Sequence, residues 1–279
     1  MLWRCGSFTF DLKRPLIMGI VNVTPDSFSD GGRFFDVTAA CAHARRLLAE
    51  GADLIDVGGE STRPGAAEVG TEEELRRVLP VVQALAAEGA AVSVDTSKPE
   101  VMRAALAAGA VVVNDVRALQ WPGALAAVAN SDCGVVLMHM QGTPQTMQRD
   151  PHYADVAAEV KDFLQARVHA AEAAGIARER IAVDPGFGFG KTAQHNYELL
   201  ARLPEIAALG LPLLVGISRK AMLQHATGRA VDERVHASVA AALIAVARGA
   251  RIVRVHDVAA TRDALAVWNA TVEQERKEQ

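Results

Sequence analysis

ADLIDVGGESTRPGAAEVGTEEELRRVLPVVQALAAEGAAVSVD, residues 52–95, holds two short apolar runs on either side of a longer amphipathic stretch. The runs ADLIDVG (52–58) and AVSVD (91–95) are nearly continuous in Val, Leu, Ile and Ala, the pattern of strands buried on both faces. Between them, EEELRRVLPVVQALAAEGA spaces its apolar residues by three and four and stops at a glycine, as helices do. Two buried strands joined by one helix make a parallel unit.

The unit recurs along the chain. Further runs are LIMGIV (16–21), VVVND (111–115), GVVLMHM (134–140), RIAVD (180–184), LPLLVGIS (211–218) and RIVRVHD (251–257). Helical patterns such as DVTAACAHARRLLAEGA lie between them. Eightfold alternation predicts a single-domain α/β fold, a (β/α)8 TIM barrel over residues 16–270. A doubly wound open sheet is the alternative, but eight units in this length close a barrel with no spare element. MLWRCGSFTFDLKR alternates apolar and polar residues, which predicts a short β-hairpin within residues 1–15. Residues 271–279 read as a tail, and no Ser/Gly/Pro-rich linker divides the chain into domains.

Composition narrows the function classes. Of 279 residues, 50% are apolar and 22% charged, with a net charge of −4 and no basic or acidic tail, which argues against a general nucleic-acid binder. No apolar run is long enough to span a membrane, and the N-terminus lacks the continuous apolar core of a signal peptide. Cys5, Cys41 and Cys133 are scattered, without zinc spacing. A cytoplasmic protein with small-molecule partners, and neither nucleic acid nor membrane, is the expectation.

The strands end in polar residues: Asn22, Asp56, Asp95, Asn114, His139, Asp184, Ser218 and His256. Any one of them is an ordinary cap or turn former. Eight of eight predict convergence on one barrel mouth, where barrel enzymes build their sites. GISRKAM (216–222) and RVHD (254–257) add Arg219, Lys220, Arg254 and His256 on neighbouring strands, and STRPGA (61–66) adds Arg63. Together they form a basic wall suited to a polyphosphate, with Arg219 the one most easily satisfied by an outside carboxylate. A carboxylate accepts two adjacent ring donors at once, and an Asn serves a donor and an acceptor. Asp95, Asn114 and Asp184 under a basic wall therefore suit a donor-rich heterocycle with a phosphate tail. PGFGFGKT (185–192) resembles a P-loop but has Pro185 where that motif needs glycine, and reads as a tight turn. His256-Asp257 has no nucleophile elbow to serve, and His43 and His169 sit inside helical patterns.

MGIVNVTPDSFSDGG, IDVGGESTRPGA, VSVDTSKPEV, VNDV, LMHMQGTPQTMQ, DPGFGFGKT, GISRKAM and RVHDV occur in this order. With them the chain resembles the dihydropteroate synthase family of pterin-binding enzymes over nearly its whole length. The resemblance implies a transferase that joins 6-hydroxymethyl-7,8-dihydropterin pyrophosphate to p-aminobenzoate, with Mg2+ as cofactor and a homodimeric assembly. It assigns Asp95, Asn114, Asp184 and Lys220 to the pterin, with Arg254 against the ring and Met138, Phe189 and Gly216 lining the pocket. Asn22 matches the metal contact. Arg63, Arg254 and His256 match the pyrophosphate contacts, with Thr62 on the same loop. Phe28 and Pro64 match the pair that closes over the aminobenzoate ring. Asp30 is placed to face the developing cation, and residues 25–32 to act as a mobile cover. Ala221 departs from the Ser or Thr common there, which leaves the aminobenzoate carboxylate to Ser218 or to backbone N–H groups. Loss of Lys220 or Arg254 is expected to remove activity with the fold intact. The rivals are a pterin-dependent methyltransferase and a non-catalytic pterin-binding paralogue.

Overall fold

Strands covered on both faces must be apolar on both, and β3 (Leu16–Asn22) meets this condition: its first six residues are buried and only Asn22 is half-buried. In a computed structural model of the chain, residues 1–24, 37–61 and 65–277 are described, with side chains to residue 274. After the hairpin strands β1 (Leu2–Cys5) and β2 (Phe8–Asp11), strands and helices alternate. The order is β3, α1 (Val37–Glu50), β4 (Leu54–Gly58), α2 (Thr71–Ala87), β5 (Val92–Asp95), α3 (Pro99–Ala107), β6 (Val112–Asp115), α4 (Ala124–Ala129) and β7 (Gly134–Met138). There follow α5 (Val156–Ala173), β8 (Ile181–Asp184), α6 (Ala193–Ala201), α7 (Leu203–Ala207), β9 (Leu214–Val215), α8 (Ala221–Thr227), α9 (Val235–Ala247), β10 (Ile252–Val255) and α10 (Val258–Lys277). Helices α1 and α2 stop where expected, at Gly51 and Gly89, whose φ values of 108° and 80° suit glycine.

The eight parallel strands run β8-β7-β6-β5-β4-β3-β10-β9. A parallel bridge between Val183 and Leu213 joins the two ends, so the sheet closes into a (β/α)8 barrel and not an open doubly wound sheet. The seventh strand is much shorter than the apolar run 211–218, and Ser218 lies beyond its end.

The hairpin caps the N-terminal end of the barrel. Trp3, Cys5 and Leu12 pack with the first inward-facing residues of the staves, among them Leu16, Leu54, Val112, Val136, Ala182, Leu214 and Ile252. The Trp3 indole N–H donates to the Arg180 carbonyl at 2.9 Å. A Cβ at Gly134 would collide with Cys5 Sγ, so the hairpin approaches β7 only over glycine.

Strand periodicity then sets the contents of the mouth. Two residues beyond each apolar plug residue the same face points inward again. These second positions are Asp56, Asn114, Met138, Asp184, Gly216 and Arg254, and β5 adds Ser93 and Asp95. The barrel is oily at one end and carries its polar groups at the other because β4, β5, β6, β8 and β10 turn polar at this level, while β3 and β7 place Met18 and Met138 there.

Candidate active site

Register brings the polar groups together. Asn22, Gly58, Asp95 and Asn114 pair across β3, β4, β5 and β6 in one row. Gly58 leaves space there: a Cβ on it would stand 3.6 Å from Asn22 Oδ1 and 3.8 Å from Asp95 Oδ2. One level lower, Asp56 is fully buried. Its Oδ2 accepts from Arg254 Nε at 2.6 Å and from Asn114 Nδ2 at 3.0 Å. The same guanidinium reaches Asp95 Oδ2 at 2.9 Å through its NH2. Arg254 thus bridges two carboxylates on the barrel floor.

Burial is the main influence on these acids. It raises the Asp95 carboxyl above the usual range against the pull of Arg254, and the Asp56 charge adds to the rise. Asp184 is pushed up to about 6 by burial, opposed by the Gly186 N–H at 2.7 Å and by the charges of Lys220 and Arg254. Lys220 stands at the start of α8 with its ammonium 4.2 Å from the Phe189 ring centre, a cation–π contact. Phe189, Met138, Val116 and Met147 form an apolar cluster beside it, and Gly216 leaves the flank of Arg254 uncovered. The site is a slot with carboxylates and an amide on its floor and apolar faces at its side.

Arg219 takes the outside carboxylate that the sequence allows it, donating to Asp257 at 2.6 and 3.1 Å, while three other expectations change. His256 is no cation: burial, helped by Arg254 and Arg219, pushes it down to about 3. Its backbone N–H donates to Ser218 Oγ at 3.2 Å, and its Nδ1 lies 3.0 Å from the same hydroxyl. His139 does not face the mouth; its ring stacks edge-on against Phe163 of α5 at 4.9 Å. Asp56 lies inside β4 and not at its end.

Phe28, Asp30, Thr62, Arg63 and Pro64, and with them the cover of residues 25–32, lie outside the described residues. Two groups that matter carry no role in the sequence. Asp56, one polar residue in a strand run, is the innermost partner of Arg254. Lys191, inside the pattern that resembles a P-loop, is 2% exposed and hydrogen-bonded on three sides. A lysine within a glycine-rich βα turn was the available signal.

Among the described residues no group of three or more His, Cys, Asp or Glu is placed to hold a metal. No helix of those residues is long and apolar enough to cross a membrane.

The profile of the family described as "Pterin binding enzyme" matches residues 18–256. The dihydropteroate synthase of Escherichia coli strain K12 is 53% identical over 265 residues, covering 95% of this chain and 94% of the relative. Among solved structures, a Xanthomonas albilineans dihydropteroate synthase with 4-aminobenzoic acid superposes with a TM-score of 0.92 at 57% identity, covering 97% of this chain and 98% of that one. A Burkholderia cenocepacia dihydropteroate synthase complexed with 7,8-dihydropteroate gives a TM-score of 0.91 at 53% identity, covering 99% and 98%. The carboxylate-floored barrel described above therefore has its kin among folate enzymes: this chain belongs to the pterin-binding enzymes and, within them, to the dihydropteroate synthase family.

Proposed function

We propose that this protein is a transferase that joins 6-hydroxymethyl-7,8-dihydropterin pyrophosphate to p-aminobenzoate, giving 7,8-dihydropteroate and pyrophosphate. The observation that carries the reading is the slot itself. Asp184 and Asn114 are buried acceptors of the barrel interior, suited to the adjacent donors of an aminopyrimidinone, and Lys220 stands over the Phe189 ring. A carboxylate accepts the amino group and ring N–H together, while Lys220 donates to a ring acceptor. Arg254 lies beside uncovered Gly216 and offers a planar cation for the flat face.

The reaction is displacement at a methylene carbon that the pterin helps to make cationic. An aromatic amine is a weak base and attacks without a strong general base. The protein's part is positional and electrostatic. Arg254 carries its charge at the floor, paired with Asp56 and Asp95, and His256 faces the leaving group as a neutral ring. Thr62, Arg63, Pro64, Phe28 and Asp30 keep, as part of this proposal, the roles the resemblance implies. Ser218 keeps its place toward the aminobenzoate, although its hydroxyl is already engaged by His256.

Asn22 fits Mg2+. Its Oδ1 is a hard oxygen donor that, like the Asp95 carboxylate, borders the space over Gly58, and Mg2+ takes few protein ligands, leaving its other positions to waters and phosphates. When bound, the ion would supply charge neutralisation for the pyrophosphate. We further propose that residues 1–279 work as one unit in the cytoplasm, in keeping with three buried free cysteines.

A homodimer also belongs to this proposal. Helix α9 buries Ala241, Ala242, Ala245 and Val246, while its opposite face leaves Ile244 41% exposed beside exposed Ala240 and Ala247. Small and branched apolar residues on an open face suit close packing against a second copy. Ile244→Asp should convert the protein to monomer in sedimentation velocity. An unchanged sedimentation coefficient would remove α9 from the interface.

The functional test is pyrophosphate release that depends on both substrates. Release with the pterin substrate alone, or none from folded protein that binds pterin, would leave the methyltransferase or binding-module readings.

A further inference from the structure

Lys191 takes no part in the chemistry above. It lies in the turn between β8 and α6, almost fully buried, and its ammonium has three protons. Three neutral acceptors surround it: His139 Nδ1 at 2.9 Å, the Gly186 carbonyl at 2.9 Å and the Phe189 carbonyl at 3.1 Å. Burying an ammonium is costly even when it is satisfied, and a methionine of similar length would escape that cost. What the ammonium holds is therefore informative.

Both of its loop partners lead to the slot. Gly186, whose carbonyl accepts from Lys191, donates its N–H to Asp184 Oδ1 at 2.7 Å. Phe189, the other carbonyl, carries the ring that lies under Lys220. The turn is closed by Phe189 N–H to Gly186 O at 3.1 Å. No larger residue fits its bend: Gly186 has φ 68°, and a Cβ there would collide with the His139 carbonyl. His139, the third acceptor, is fixed against Phe163. One side chain thus fastens the segment that aims Asp184 and the segment that places Phe189.

We propose that Lys191 is a positioning residue for the pterin end of the site: its ammonium locks the 186–189 turn so that Asp184 and Phe189 meet the heterocycle in one geometry. This rests on the reading of the slot as a pterin site.

The groups facing Lys191 are His139 from the end of β7, Tyr153 ahead of α5, Asp184 from β8 and Lys220 ahead of α8. Burial pushes His139 down to about 2, so it stays a neutral acceptor, and raises Tyr153. Burial also pushes Lys191 itself down to about 7, with Asp184 pulling the other way. As pH rises past neutrality the ammonium loses one of its three donors, and the lock loosens.

The test uses the full chain, with Lys191→Met and Lys191→Gln beside wild type. Binding of 6-hydroxymethylpterin is followed by calorimetry from pH 6.5 to 9, with melting curves and steady-state kinetics. Both variants should bind about 10- to 50-fold more weakly near pH 6.5. The KM for the pterin substrate should rise more than kcat falls, with the p-aminobenzoate KM nearly unmoved. The ratio of variant to wild-type affinity, from which the ligand's own ionisation cancels, should shrink toward one as pH rises. Variants that bind within twofold of wild type throughout, a ratio that ignores pH, or variants that unfold at 25 °C would make Lys191 a packing residue and overturn the proposal. A wild type that neither binds 6-hydroxymethylpterin nor releases pyrophosphate would overturn the functional reading instead.

Discussion

Arg254→Ala should lose stability and turnover together, and adding Asp56→Asn should return part of the first and none of the second. The guanidinium is the counter-ion of Asp56, which is fully buried, and of Asp95. Removing one partner from a buried ion pair costs about 3–5 kcal/mol, because the other charge is left without compensation. For a chain of this size that is an apparent melting shift on the order of 10 °C. Turnover should fall on the order of 100- to 1,000-fold, the range for deleting one charge-stabilising group. The expectation from sequence, that Arg254→Ala leaves the fold intact, did not include the carboxylates beneath it.

The deficit should also depend on pH, in a defined direction. Without Arg254 the Asp95 carboxyl, already raised by burial, moves further above the unfolded value of about 3.9. Stability contributed by such a group is present below the unfolded value and is lost as pH rises through the folded one. The variant should therefore lie closer to wild type at pH 5.5 than at pH 8. Melting within 2 °C of wild type at pH 8, or turnover regained in the double variant, would show that Arg254 is not the keystone of the floor.

The staves were legible because parallel strands need apolar residues on both faces, and few other structures ask for short continuous runs of Val, Ile and Leu. That same continuity hid which face pointed inward. Asp56 shows the limit: it is flanked by Ile55 and Val57, both fully buried on the outer side of β4. Its inward aim became visible only when register placed it opposite Ile20 and Ser93. Asn114 and Asp184 were easier because they stand at or next to strand ends, where polarity breaks the run. Charge state was legible only in part: the sequence allows Arg219 an outside carboxylate, which Asp257 supplies, but His256 reads as a cation by residue type and burial silences it. The role of Lys191 depends on His139, 52 residues away in the sequence, which no local pattern shows. The group that a glycine-rich turn folds around is a tertiary fact.

Asp184→Asn should move affinity and stability in opposite directions. Its carboxyl is pushed up to about 6 by burial, which means that ionising it at neutral pH costs the folded state. Stability from such a raised acid is complete below about 3.9 and is lost as pH climbs through about 6, so the neutral amide escapes the loss. At pH 7.5 the variant should be as stable as wild type or more so, by about 1–3 kcal/mol at most. Binding is a different matter. An amide presents an N–H where the carboxylate presented an acceptor, and the aminopyrimidinone edge meets it donor to donor. Losing charge-assisted bonds and opposing two donors costs about 2–4 kcal/mol, or on the order of 30- to 1,000-fold in pterin affinity. Wild-type affinity should weaken as pH falls from 7 to 5, because protons compete with the ring donors for Asp184. The slope should flatten in Asp184→Asn, with the remainder set by Asp95, whose carboxyl burial also raises. Calorimetry with 6-hydroxymethylpterin across that range, beside melting curves at pH 7.5, measures both signs at once. Binding within threefold of wild type would move the pterin's donor edge away from Asp184, and lower stability would mean that the Gly186 contact at 2.7 Å outweighs the cost of burying the charge.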